Sequence, residues 1–146
     1  MKKLALLFVS ALFSLSMFAS EPVLVNEKVL HAFNQSFKNA SDAVWYEYTD
    51  RFEVRFVQNT VKSTVTYDRN GAALRIIRYY SEENLPLFVR TKLAKQFAGK
   101  KVFGVTEYAT EGTMDYFIVL EDAETWSHVR CSATGEAAVY QKYKKA

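Results

Sequence analysis

Only one cysteine, Cys131, and two histidines, His31 and His128, occur in the 146 residues. A lone cysteine closes no intramolecular disulfide, so stability has to come from packing. Two histidines with neither HxxxH nor HxH spacing cannot build a histidine-rich zinc site, and no metal or other cofactor is expected. Glycines number five, and none lies in a phosphate-cradling loop or a GxSxG elbow. An excess of one charge is missing too. Setting aside Lys2 and Lys3, 17 basic residues face 16 acids, a net charge of +1. Nothing in that balance points to a nucleic-acid partner, and the basic QKYKKA end reads as a solvated tail. Past residue 18 no long apolar run remains, so no integral membrane segment is expected in the mature chain.

What is present begins with an export signal. MKKLALLFVSALFSLSMFAS has two lysines, an apolar run from Leu4 to Phe18, and Ala19-Ser20 before Glu21-Pro22. That is the pattern of a secretory signal peptide over residues 1–20, which places the mature protein in the periplasm or outside the cell. The remaining stretch of about 126 residues is one domain's worth. Aromatic residues make up 15% of the chain and are the natural means of packing it without a disulfide.

After Asn26, EKVLHAFNQSFKNA sets Val29, Leu30, Phe33 and Phe37 at helical spacing. From Ala43 the period changes to two in AVWYEYT, RFEVRFVQ, VKSTVTYD and AALRIIRYY, runs rich in aromatic and β-branched residues. SEENLPLFVRTKLAKQFAGK then reads as a second helix, with acids and Pro86 at its start, Phe88, Val89, Leu93 and Phe97 on one face, and Gly99 as its stop. KVFGVTEYAT, MDYFIVLE, WSHVRCS and EAAVYQKYK follow as strands.

A helix and four strands therefore occur twice, as a degenerate internal repeat. Phe37 and Phe97, Trp45 and Val105, and Tyr48 and Tyr108 stand 60 apart. Beyond the first hairpin the offset is 64, pairing Phe52 with Tyr116, Val65 with Val129, Gly71 with Gly135 and Ala73 with Ala137. DRNG, residues 68–71, has the look of a metal loop, but its repeat partner SATG keeps the glycine and loses both oxygen ligands. As an EF-hand it also misplaces the glycine and the twelfth-position glutamate. A hairpin turn is the reading both copies share.

The helix around VLHAFNQSF, the following AVWYEY, the YDRNG hairpin, the NLP helix start and a second helix-and-sheet half together resemble the PepSY-like proteins related to β-lactamase inhibitor protein. The resemblance spans residues 25–142. It implies an α+β fold of two tandem modules, each a helix packed on a four-stranded antiparallel sheet, over about 25–80 and about 81–143 within a domain of residues 21–146. It implies an exported protein that is not an enzyme. Because Cys131 cannot form the disulfides of the inhibitor's modules, inhibition of a β-lactamase is not implied. Asp50, in the hairpin YTDRF, takes the place of an acid-tipped inhibitory loop, although aspartate is also an ordinary turn residue.

Alternation along the strands proposes a site. Val65 and Tyr67, like Val129 and Cys131, are expected to face the helices. That leaves Trp126, His128 and Arg130 on the opposite face, with Phe117 and Val119 beside them and Lys62, Thr64 and Thr66 in the other half. Aromatic and arginine side chains on an open sheet are typical of binding hot spots, so the expected partner is a protein or peptide. Coverage of that face by the chain itself or by a homodimer partner is the plain alternative, because large apolar patches on monomers are rare. Catalytic groupings fail: His128 and Cys131, three apart on a strand, point to opposite faces, and Cys131 reads as a buried core residue. Glu121, Asp122 and Glu124 in EDAET gather the oxygen ligands that calcium takes, and the favoured reading over a calcium site is a solvated hairpin end. A cystatin-like or NTF2-like carrier or enzyme is the second reading, and it requires polar side chains in the space between helix and sheet.

Overall fold

A computed structural model describes residues 23–146, so the signal peptide expected over residues 1–20 lies outside the described residues. Helix α1, Glu27–Ser36, opens where Asn26 caps it: the Asn26 side-chain oxygen accepts from the Val29 amide at 3.0 Å. Four strands follow, β1 (Ser41–Glu47), β2 (Arg51–Gln58), β3 (Val61–Asp68) and β4 (Ala73–Tyr80). A short 3-10 turn, Glu82–Asn84, leads into α2, Leu87–Gln96, and then come β5 (Lys101–Thr110), β6 (Thr113–Glu121), β7 (Thr125–Ser132) and β8 (Ala137–Lys144). The helix predicted from SEEN onward starts later than expected. Proline disfavours helical backbone in the residue before it, and Leu85 is extended at ψ 141°.

All eight strands form one antiparallel sheet in chain order. The two expected four-stranded sheets are thus continuous, joined by six residue pairs from Arg75 opposite Thr110 to Tyr80 opposite Val105. Both helices pack on the same face. Val29 and Phe33, one helical turn apart, meet Phe52, Val54, Phe56, Val65 and Tyr67. Leu85, Val89 and Leu93 meet Val105, Tyr116, Ile118, Leu120, Val129 and Cys131. This i, i+4, i+8 stripe is narrower than the sequence pattern suggested, and Phe88, expected on the buried face, lies mostly in solvent. Phe37 and Phe97 end their helices identically, each donating its amide to the carbonyl four residues back at 2.8 Å.

The DRNG segment is a turn in full. Asp68 Oδ1 accepts from the amides of Asn70 and Ala72, both at 2.8 Å, and Gly71 carries φ +90°. In the second copy Gly135 has φ +80° and the Ser132 hydroxyl replaces the carboxylate, accepting from the Glu136 amide at 3.2 Å. Each turn tucks under its own helix: Asn26 Nδ2 donates to the Arg69 carbonyl at 2.9 Å, and Lys92 Nζ to that of Thr134 at 2.8 Å. Among the described residues, no three His, Cys, Asp or Glu side chains are placed to hold a metal, and no helix is long and apolar enough to cross a membrane.

Candidate functional site on the helix-free sheet face

In β6 and β7, Phe117 stands opposite Arg130, Val119 opposite His128, and Glu121 opposite Trp126. Their neighbours Tyr116, Ile118, Leu120, Val129 and Cys131 are in the core under α2. Period-two geometry therefore puts Phe117, Trp126, His128 and Arg130 together on the face that, among the described residues, carries no helix. His128 packs edge-on against Tyr140 and Tyr143, with centroids 5.9 and 5.3 Å away, and Phe117 meets Tyr140 at 6.4 Å. Trp126 meets Phe103 edge-on at 4.9 Å. Arg130 donates to Asp115 at 2.8 Å with its own side chain 62% exposed. The grouping is thus aromatic at its centre, with an accessible guanidinium at one side.

Phe103 and Tyr140, 64% and 55% exposed, belong to this surface and were not found by alternation. Both stand at register shifts: Phe103 lies between Val102 and Gly104, and Tyr140 sits where β8 gains a residue against His128 and Val129. A bulge turns one extra side chain out of phase with strict alternation. Gly104 beside Phe103 is the sequence signal that could have marked the first of these shifts. Nothing comparable marks Tyr140.

Asp50 is not brought to this group. It sits in the β1–β2 turn with its carboxylate 2.9 Å from Arg51, whose guanidinium lies 4.5 Å from the Tyr48 ring centroid. Trp126 lies in β7, six strands from β1 in the sheet order. In the first half the same face is polar: Glu53 is buried beneath Arg55, at 3.0 Å, and Arg75, at 3.6 Å, and Arg75 donates to Thr66 at 3.2 Å. A groove of about 320 Å3 adjoins it, lined by Val44, Tyr46, Arg55, Val57, Lys62 and Tyr79.

Residues weighed for chemistry are accounted for structurally. Cys131 is fully buried under α2, and burial pushes its thiol above the usual range, away from the reactive thiolate. His31 is exposed and bonded to Gln35 at 2.8 Å. Asp122 caps the β6–β7 turn: it binds Lys100 and accepts from the amides of Glu124 and Thr125 at 2.9 and 2.6 Å. Those contacts, the lysine first, hold its carboxyl well below the usual carboxylate range.

The helix side is less apolar than the sequence suggested. Glu107, 4% exposed, lies there between the two cores. Arg78 chelates its Oε1, and the Tyr80 hydroxyl donates to its Oε2 at 2.6 Å. Burial, then Glu107, drives the Tyr80 phenol far above its ordinary value, so it remains a donor. A cavity of about 190 Å3 opens beside them, lined by Phe37, Ile76, Arg78, Glu107, Ala109 and Met114.

No family model matches the chain, and no curated protein sequence does. Solved structures do. A BLIP-like protein of Bacteroides fragilis superposes with TM-score 0.60 at 15% identity, over 84% of this chain and 87% of that one. A DUF2874 family protein of Bacteroides uniformis gives 0.58 at 16% identity, over 83% and 90%. A Bacteroides eggerthii protein provisionally described as periplasmic gives 0.59 at 16%, over 84% and 90%. The chain therefore has a BLIP-like fold. These likenesses support the fold that the sequence resemblance implies and do not show its PepSY link.

Proposed function

We propose that this chain is an exported, non-enzymatic binding protein that engages a protein or peptide through the β5–β8 half of its helix-free sheet face. A single observation carries the reading. Phe103, Phe117, Trp126, His128, Tyr140 and Tyr143 converge on one surface beside the accessible Arg130, the residue types that dominate binding hot spots. Support for export comes from the leader over residues 1–20 and from the likeness to a protein provisionally described as periplasmic. The PepSY-like assignment, with modules over about 25–80 and about 81–143, belongs to the same reading and rests on the order of the VLHAFNQSF, AVWYEY, YDRNG and NLP motifs followed by a second helix-and-sheet half.

The carrier or enzyme alternative needs free polar groups between helix and sheet. Glu107 and Arg78 are there, at the cavity, but both Glu107 oxygens are taken by Arg78 and Tyr80. The cavity thus offers a bound pair rather than an available acid or base.

The test compares immobilised mature chain with Trp126→Ala/Arg130→Ala and with Arg55→Ala/Lys62→Ala on the other half, each exposed to periplasmic extract. At least one protein is expected to be retained by the wild type and the Arg55/Lys62 variant and lost by the Trp126/Arg130 variant. Equal yields of the same proteins from all three chains would overturn the assignment of this face.

A further inference from the structure

We propose that Trp126 and Glu121 form a seat for a cationic side chain of the bound polypeptide, and that the chain's own Lys145 now fills it. The identity of the occupant rests on the binding role proposed above; the seat itself rests on contacts within the chain. Glu121 and Trp126 oppose each other across the β6–β7 ladder on the helix-free face. Lys145 Nζ lies 4.3 Å from the Trp126 ring centroid and 2.8 Å from Glu121 Oε2. Phe103, edge-on to Trp126 at 4.9 Å, stands beside that ring. An indole face and a carboxylate sharing one ammonium is the arrangement that selects a cation over a neutral side chain of equal length.

Lys145 is a replaceable occupant. It lies one residue past β8, whose last ladder pair is Thr125 opposite Lys144. Its backbone is held by one hydrogen bond, from its amide to the Glu124 carbonyl at 2.7 Å. Swinging it out breaks that bond and no strand pairing. The neighbouring charges favour refilling. Glu121, Asp122 and Glu124 are three acids at this end of the sheet, and of the lysines around them Lys100 is already bound to Asp122, while Lys101 stands opposite Glu121 on β5 and Lys144 opposite Thr125 on β8. The first half has no such seat, because the same opposed positions there hold Val57 and Lys62.

The probe is Nα-acetyl-lysine methylamide, with Nα-acetyl-norleucine methylamide as its neutral match. The chain has two tryptophans, so the indole N–H signals in an NMR titration report the seat through Trp126 and the opposite face through Trp45. Trp126→Phe assigns them. Removing the internal competitor in Lys145→Met, which keeps a long apolar stem just past β8, is expected to lower the lysine concentration that half-shifts the Trp126 signal about tenfold. Trp45 should stay still, norleucine should be inert, and adding Glu121→Gln should abolish the gain. Lys145→Ala guards against the methionine occupying the ring face itself. A Trp126 signal unmoved by the lysine probe in both Lys145 variants, or moved equally by norleucine, would overturn the seat. If the seat takes lysine while Trp126→Ala/Arg130→Ala leaves protein capture unchanged, the binding role fails and the seat stands; lost capture with a silent Trp126 signal is the reverse.

Discussion

The two halves of the sheet match on one face and differ on the other. In matching register on the helix side, Phe52 opposite Tyr67, Val54 opposite Val65 and Phe56 opposite Ser63 correspond to Tyr116 opposite Cys131, Ile118 opposite Val129 and Leu120 opposite Ser127. Even the small hydroxyl is kept, with Ser63 and Ser127 both buried. On the far side, Glu53–Thr66, Arg55–Thr64 and Val57–Lys62 correspond to Phe117–Arg130, Val119–His128 and Glu121–Trp126. Close packing under a helix tolerates few changes of volume, whereas a face in water can change chemistry freely. Divergence confined to that face separates what the fold needs from what the second half is free to use for recognition.

The strongest way to break the comparison is to empty equivalent core positions. Phe56→Ala should destabilise by about 3–5 kcal/mol and Leu120→Ala by about 2–5 kcal/mol. Because β4 and β5 pair along their length, each is expected to lower one shared transition. Urea unfolding followed separately in Trp45→Phe and Trp126→Phe backgrounds checks this, since each half holds one tryptophan. Non-coincident midpoints would mean that the halves unfold separately.

The glycine turns sharpen the comparison at smaller energies. Both need a positive φ, which costs an L-residue about 1–2 kcal/mol. A Cβ at Gly71 would also sit 2.8 Å from the Lys28 carbonyl oxygen, fixed helix backbone, whereas at Gly135 it would meet the flexible Lys92 side chain at 2.7 Å. Gly71→Ala should therefore cost about 2–4 kcal/mol and Gly135→Ala about 1–2 kcal/mol, as read from shifts in urea midpoint. Equal costs would show that the helix α1 end yields as easily as a lysine side chain.

The sequence revealed the strands because their alternation is set by burial on one side, and it revealed the turns because glycine recurs at equivalent places in the two halves. It placed Trp126, His128, Arg130 and Phe117 on one face for the same reason. It missed Phe103 and Tyr140 because a bulge breaks period two without an obligatory residue type. It missed the buried Glu107 because a charged residue inside is paired by a side chain 29 positions away, Arg78, and that partnership exists only once β4 lies beside β5. It read EDAET as solvated, since nothing local announces that Lys100 and Lys145 will arrive from elsewhere in the chain.

The smallest expected effect tests that acidic turn against its counterpart. The β2–β3 turn contains Asn59 and Thr60 in left-handed backbone and no carboxylate, while the β6–β7 turn is capped by Asp122. Lys100 and the turn donors hold the Asp122 carboxyl below its usual range, and in the unfolded chain it titrates at about 3.9. A carboxyl lowered by folding adds stability above its unfolded pKa that drains away as pH falls through that value toward the folded one. Amide exchange should therefore show the β6–β7 turn opening as pH drops below about 4, with the β2–β3 turn changing less. Asp122→Asn should remove the difference, because asparagine can still accept from the two amides but has no proton to take up. If both turns open together in the wild type, the carboxylate is not what distinguishes the halves at this end of the sheet.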